Sequence, residues 1–225
     1  MEINIEPRIS ELNKNEVLLY LGYKGQNIDD LLDEQIDACI EKVVEAAEPR
    51  VVFRQLAVEN GGMVGFPVEG SDVAELLRTC HEALLLGATI GPKVDMLISR
   101  EMVLNMADAV IIDSCASVCI ENVCNNFEAD LREMLEAEGL YLTDRFSPGY
   151  GDLPLDTQPR MSEALNMRRR IGVSVGENFM MSPTKSVTAI MGISREPQPL
   201  RAKGCEVCNM FKTCEFRKKG MTCHG

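Results

Sequence analysis

The 225-residue sequence predicts a mixed α/β (α+β) fold, with long helices packed on a twisted, mostly antiparallel sheet. Three observations lead there. Apolar residues recur at three- and four-residue steps over long stretches, as amphipathic helices require. The β-branched runs come in hairpin-like pairs rather than in β-α-β units. Hydrophobic residues make up 45% of the chain and charged residues 26%, the balance of a globular protein with a sizeable core.

Taken in order, residues 13–23 (NKNEVLLYLGY) read as a short helix ending near Gly22. Residues 29–49 form an amphipathic helix in which Leu32, Ile36, Ile40, Val43 and Ala47 share a face and Pro49 is the stop. The segment RVVFRQLAVENGGMVGFPVEG switches to β-branched and aromatic residues around Asn60-Gly61-Gly62, a hairpin signal. SDVAELLRTC is a helix capped by Ser71 or Asp72, and EALLLGATIG is a buried strand. Pro92 after Gly91 opens a helical stretch that runs to Gly139 with a break near Leu104. In its second half Ile120, Val123, Phe127, Leu131 and Leu135 line one face, and the preceding MADAVIIDSCASVC is apolar or small all round, as a core helix is. MSEALNMRRRIG is a helix ending at Gly172, and VGENFMMSPTKSVTAIMGIS is two strands around a turn at Ser182-Pro183. Residues 1–196 are thus expected to form one domain, with Pro197 and Pro199 leading into a cysteine-rich tail, 197–225.

The net charge of −12 repels phosphate backbones and argues against nucleic acid as a partner. No apolar run reaches the roughly 18–20 residues of a membrane span, and MEINIEPRIS lacks the basic start and apolar stretch of a signal peptide; the expectation is a cytoplasmic protein without a membrane partner. Nine cysteines cannot all pair, and two histidines, His81 and His224, leave little for a Ser-His-Asp or Cys-His catalytic set. Cys115, Cys119 and Cys124 read as small, buried helix-packing residues.

Between two helical patterns lies TDRFSPGYGDLPL, residues 143–155. Pro148 fixes its own backbone angle and biases Ser147 toward an extended shape, while Gly149 allows close backbone approach. Ser147 and the peptide groups offer hydrogen bonds, Arg145 a carboxylate clamp and Tyr150 a flat face, which suits a small anionic or zwitterionic ligand. The competing reading is a proline-stiffened loop with Arg145 in a structural ion pair.

RFSPGY, followed about thirty residues later by MSPTKSV (Met181 to Val187), resembles the activation domain of cobalamin-dependent methionine synthase, which carries an Arg-x-x-Pro-Gly-Tyr element and a later Met-x-Pro-x-x-Ser-Val element. The resemblance covers residues 105–193. It implies the fold of that domain and binding of S-adenosylmethionine (AdoMet) through Arg145, Ser147, Pro148, Gly149 and Tyr150, with Arg145 on the ligand carboxylate. It also implies a role in the cobalamin-dependent methionine synthase system: reductive methylation of inactive cob(II)alamin, with the cobalamin carried by a partner. That partner would be a corrinoid methyltransferase or methionine synthase lacking its own activation domain, served by an electron-donor protein. Two departures stand out. The family's N-terminal ligand-contacting Asp has no evident match in the first hundred residues, and its aromatic-rich strand is replaced by TAIMGIS. The second reading is therefore a non-catalytic scaffold that docks on a corrinoid protein through a metal-clipped tail.

The tail is chemically distinct. Residues 195–225 carry seven Lys/Arg against three Glu, a local excess of +4 that leaves the rest at −16. Cys205, Cys208, Cys214 and Cys223 are spaced C-x2-C-x5-C-x8-C, a soft-ligand set for either zinc or an iron–sulfur cluster.

Overall fold

The computed structural model describes residues 3–23 and 28–198. The short helix α1 (Lys14–Tyr20) is capped by Asn13, whose side chain accepts from the Asn15 amide at 2.9 Å. Helix α2 (Asp30–Ala46) is capped by Asp29 and buries Ile36, Cys39 and Val43, the centre of the expected face. Strand β1 (Arg50–Glu59) turns into β2 (Gly62–Met63) through Asn60 and Gly61, at φ 53° and 75°. Two successive positive φ values are what a two-residue hairpin turn demands, which explains Asn-Gly here.

Helix α3 (Ser71–Leu76) departs from expectation: neither Ser71 nor Asp72 caps it from within. Its first amides are instead taken by the distant Asp152, with Ser71 N at 2.6 Å and Asp72 N at 3.1 Å. Strand β3 (Cys80–Thr89) starts two residues earlier than the sequence suggested, with an irregularity between Cys80 and Glu82. Helix α4 (Pro92–Leu104) and the 32-residue α5 (Met106–Ala137), about 48 Å long, meet at Asn105. That residue leaves the helical region (φ −152°, ψ 97°) and its side chain accepts from Ala107 N and Asp108 N, so one Asn ends one helix and caps the next. The N-terminal arm lies along α5, where Asn122 accepts from Ser10 N at 2.9 Å and Asp130 pairs with Arg8.

After β4 (Tyr141–Leu142) and the loop come α6 (Thr157–Leu165) and α7 (Met167–Arg170), then a small hairpin of β5 (Ser174–Val175) and β6 (Met181–Ser182), and finally β7 (Ser186–Ser194). The single expected helix 161–172 is two, because Asn166 adopts a left-handed conformation at φ 51°, one of the few non-glycine residues that do so at low cost. Likewise, most of VGENFMM is turn rather than strand.

The main sheet runs β2-β1-β3-β7-β4, antiparallel throughout. Helices cover both faces, which is why β3 reads as an unbroken apolar run rather than an alternating one. Leu84 and Leu86 pack with Phe127 and Leu131 of α5, while Ala83 and Leu85 pack with Val73, Leu77, Met161 and Leu165 on the α3/α6 side. The expected stripe Ile120, Val123, Phe127, Leu131 and Leu135 is buried, as are Cys115, Cys119 and Cys124. No described helix is long and apolar enough to cross a membrane.

Within the main sheet the tightest glycine is Gly192 on β7. A Cβ there would overlap the Cys80 sulfur and sit 2.9 Å from Leu77 Cδ2. Gly192→Ala should therefore destabilise the domain by about 1–3 kcal/mol, the range of core overpacking. Urea unfolding of the variant, and of Gly192→Ala/Cys80→Ala in which stability is partly recovered, checks this.

Candidate functional site: a charged cleft between α5 and the 143–155 loop

The loop is built from three fixed points. Phe146 exchanges two backbone hydrogen bonds with Ile190, at 2.9 and 2.8 Å, adding one bridge to the edge of β7. Ser147 to Tyr150 then form a turn closed by Tyr150 N donating to Ser147 O at 3.2 Å, with Pro148 at the second position and Gly149 at φ 90° in the third. A positive φ at the third position marks a type II turn, which favours proline at the second position and glycine at the third, so Pro-Gly is the natural pair. Last, Asp152 clips the loop to α3, and Asp72 returns the contact by accepting from Asp152 N at 3.2 Å.

Arg145 lies inside this frame with its side chain only 16% exposed. Its Nε donates to Glu128 at 2.9 Å, and Nη2 to Asn125 at 2.5 Å and Glu121 at 3.3 Å. Burial penalises the guanidinium charge, and the neighbouring Cys124, Glu121 and Glu128 more than offset that, so its pKa is raised and the cation is secure. Glu128 also accepts from Arg132 at 2.9 Å, and Arg132 reaches Leu142 O at 2.6 Å and Asp144 at 3.7 Å. Sequence reasoning missed Glu121, Asn125, Glu128 and Arg132. Their spacing, i, i+4, i+7 and i+11, was the available signal, since it puts all four on one stripe of the helix.

Glu121, Glu128, Asp144, Arg145, Phe146, Ser147, Tyr150 and Val187 line a cleft of about 220 Å³. Small-molecule sites typically span ~300–1,000 Å³, so this cleft would admit one end of an elongated ligand. Of the five loop residues singled out from sequence, Arg145, Ser147 and Tyr150 line it, while Pro148 and Gly149 shape the turn behind them. Tyr150 is 69% exposed. Tyr20, at the end of α1, stands close by and is half exposed; its phenol pKa is raised by burial first and then by Glu121, Tyr150 and Glu16. Nothing in the sequence alone marked Tyr20.

The second motif supports the cleft from below. Thr184 is held by Asp95 through its amide (2.8 Å) and hydroxyl (2.7 Å). Lys185 reaches α5 at Asp113 (2.8 Å) and Ser117 (2.9 Å). The buried Ser186 hydroxyl bonds Thr89 Oγ1 and Pro183 O. These contacts fix where β7 begins and so where Val187 enters the cleft. Among the described residues no group of three or more His, Cys, Asp or Glu is placed to hold a metal, and Cys205, Cys208, Cys214 and Cys223 lie outside the described residues.

No protein-family model and no curated protein sequence matches the chain. Among solved structures, the fold is similar to that of the MetH reactivation domain bound to AdoHcy, with a TM-score of 0.63 and 12% identity, covering 94% of this chain and 82% of that one. The chain therefore has the fold of a methionine synthase reactivation domain: a mixed α/β architecture on a mostly antiparallel sheet.

The burial of Arg145 among paired carboxylates gives its removal a structural cost. Arg145→Ala would leave Glu128 with half its ionic partners in a site where its side chain is 14% exposed. A loss of about 1.5–3 kcal/mol is expected, the scale of hydrogen bonds to charged groups, read as a lower urea midpoint with no ligand present.

Proposed function

We propose that this chain binds AdoMet at the α5–loop cleft and presents its methyl group to a corrinoid held by a separate methyltransferase, methionine synthase being the first candidate. The observation that carries the reading is the seating of Arg145, Ser147 and Tyr150 together on one cleft in this fold. Nε and Nη2 of Arg145 are engaged by α5, which aims the guanidinium. Its remaining amino group, Nη1, is the one proposed to meet the ligand carboxylate. Ser147 and the turn peptides take further polar groups, and the exposed Tyr150 ring offers a stacking face. A cobalt centre reduced by one electron from a donor protein takes the sulfonium methyl in line and releases AdoHcy, so the chain itself has to place the donor and keep water away.

Isothermal titration with AdoMet should show saturable binding near one site per chain. Mixed with a corrinoid protein in the Co(II) state, a reductant and AdoMet, the chain should accelerate conversion of the visible spectrum to that of the methylated form. A chain that binds no AdoMet yet still binds the corrinoid protein would be the scaffold of the alternative reading.

The four tail cysteines are proposed as one metal centre, zinc or iron–sulfur, on a unit separate from residues 1–196. So short a segment has too few apolar residues for its own core, and metal binding would supply most of its folding free energy. Anaerobic purification should give about one zinc, or a brown protein absorbing near ~400 nm, as cysteine-ligated clusters do. Metal retained at full stoichiometry in Cys205→Ser/Cys208→Ser would rule out this ligand set.

A further inference from the structure

The cleft wall is unevenly charged. Three carboxylates (Glu121, Glu128 and Asp144) face one guanidinium, Arg145. Glu128 is compensated twice, by Arg145 and Arg132, and Asp144 lies 3.7 Å from Arg132. Glu121 is different. It meets Arg145 only at 3.3 Å, and its side chain is 42% exposed at the mouth. Asn125, which shares Nη2 with it at 2.5 Å, is the closer partner of that nitrogen. Lys185, which also reaches α5, is paired with Asp113, about two turns back along that helix. Glu16 of α1 and Glu121 of α5 both act on Tyr20, so carboxylates of two helices stand near the mouth.

We infer that the cleft selects its ligand by charge, favouring the sulfonium cation over the neutral thioether, and that Glu121 is the specificity-determining residue. The inference rests on the AdoMet-binding reading above. AdoMet carries a sulfonium, an ammonium and a carboxylate, leaving one net positive charge; AdoHcy, without the methyl, is a neutral zwitterion. The two differ by a methyl and a charge, and an apolar wall would hardly tell them apart. A partly exposed carboxylate within several ångströms does so by about tenfold, the Coulombic scale for a pair near a protein surface. The consequence is directional. Loss of the methyl removes the charge that Glu121 holds, so the product dissociates and the cleft is cleared for the next donor.

The test is titration calorimetry of wild type and Glu121→Gln, at about 20 mM and about 500 mM KCl, with AdoMet, AdoHcy and sinefungin, which carries an amine in place of the sulfonium. Wild type at low salt should bind AdoMet and sinefungin about tenfold more tightly than AdoHcy. In Glu121→Gln the ratio should fall to about twofold while AdoHcy affinity is kept or increased, because Arg145 loses a competing carboxylate. High salt should compress the wild-type ratio as well, and that arm decides the matter if the variant fails to fold. Equal affinities in wild type, or a ratio indifferent to salt, would overturn charge selection with AdoMet binding intact. An unchanged ratio in folded Glu121→Gln would overturn the assignment to Glu121. No saturable binding of any of the three would instead overturn the AdoMet-binding reading itself.

Discussion

Two reciprocal backbone hydrogen bonds between Phe146 and Ile190 are the constraint on which the cleft depends. The chain pairs with β7 at Tyr141 and Leu142, and Thr143 N donates to Gly192 O, after which it would otherwise leave the sheet. The Phe146 bridge returns it in extended form, and extended chains alternate their side chains. Phe146 packs into the core on the α3/α6 side, with Leu153 and Ile190. Its neighbours Arg145 and Ser147 are thereby turned toward α5, where Glu121, Asn125 and Glu128 wait. The same strand begins with the Thr184–Lys185–Ser186 contacts, so the two motifs of the sequence are joined through β7 rather than through each other.

That arrangement carries an electrostatic condition. A guanidinium taken largely out of water is tolerable only if it is paired and hydrogen-bonded. α5 meets the condition with a stripe of four polar residues, and charges alternate in the chain of pairs that links loop and helix: Arg145, Glu128, Arg132, Asp144. The chain of pairs holds the loop to the helix and at the same time orients Arg145 toward the cleft. Structural ion pair and ligand clamp, opposed as alternatives at the level of sequence, are compatible under the proposed function, since different nitrogens of one guanidinium would serve each.

The fold was legible where period and punctuation agreed. Asn60-Gly61, Pro92 and the apolar stripe of α5 each specify local geometry through their own chemistry, and the structure follows them. Failures came where a distant residue decided the outcome. The cap of α3 is Asp152, some eighty residues away, and no inspection of SDVAELL could reveal it. The split at Asn166 is a backbone conformation that Asn permits but does not require. At the site, the loop was recognisable because proline and glycine mark it, whereas Glu121 and Glu128 look like ordinary solvent-facing helix charges until Arg145 is placed against them.

A site that holds an activated methyl donor must also avoid offering it the wrong acceptor. Thiolates are the strongest nucleophiles a protein carries, and the reactive form is the anion. Five cysteines lie among the described residues, all buried. Burial pushes Cys39 and Cys80 up to about 11 and Cys115, Cys119 and Cys124 up to about 12. Cys124 is the critical one, since it lies directly against Arg145, a cation that lowers a thiol pKa. Burial outweighs that pull, and Glu121 and Glu128 add to it by raising the thiol further. Burial, with the carboxylates that pair Arg145 adding to it, thus keeps the thiol beside that cation protonated at neutral pH, so that a methyl donor in the cleft would meet no thiolate there.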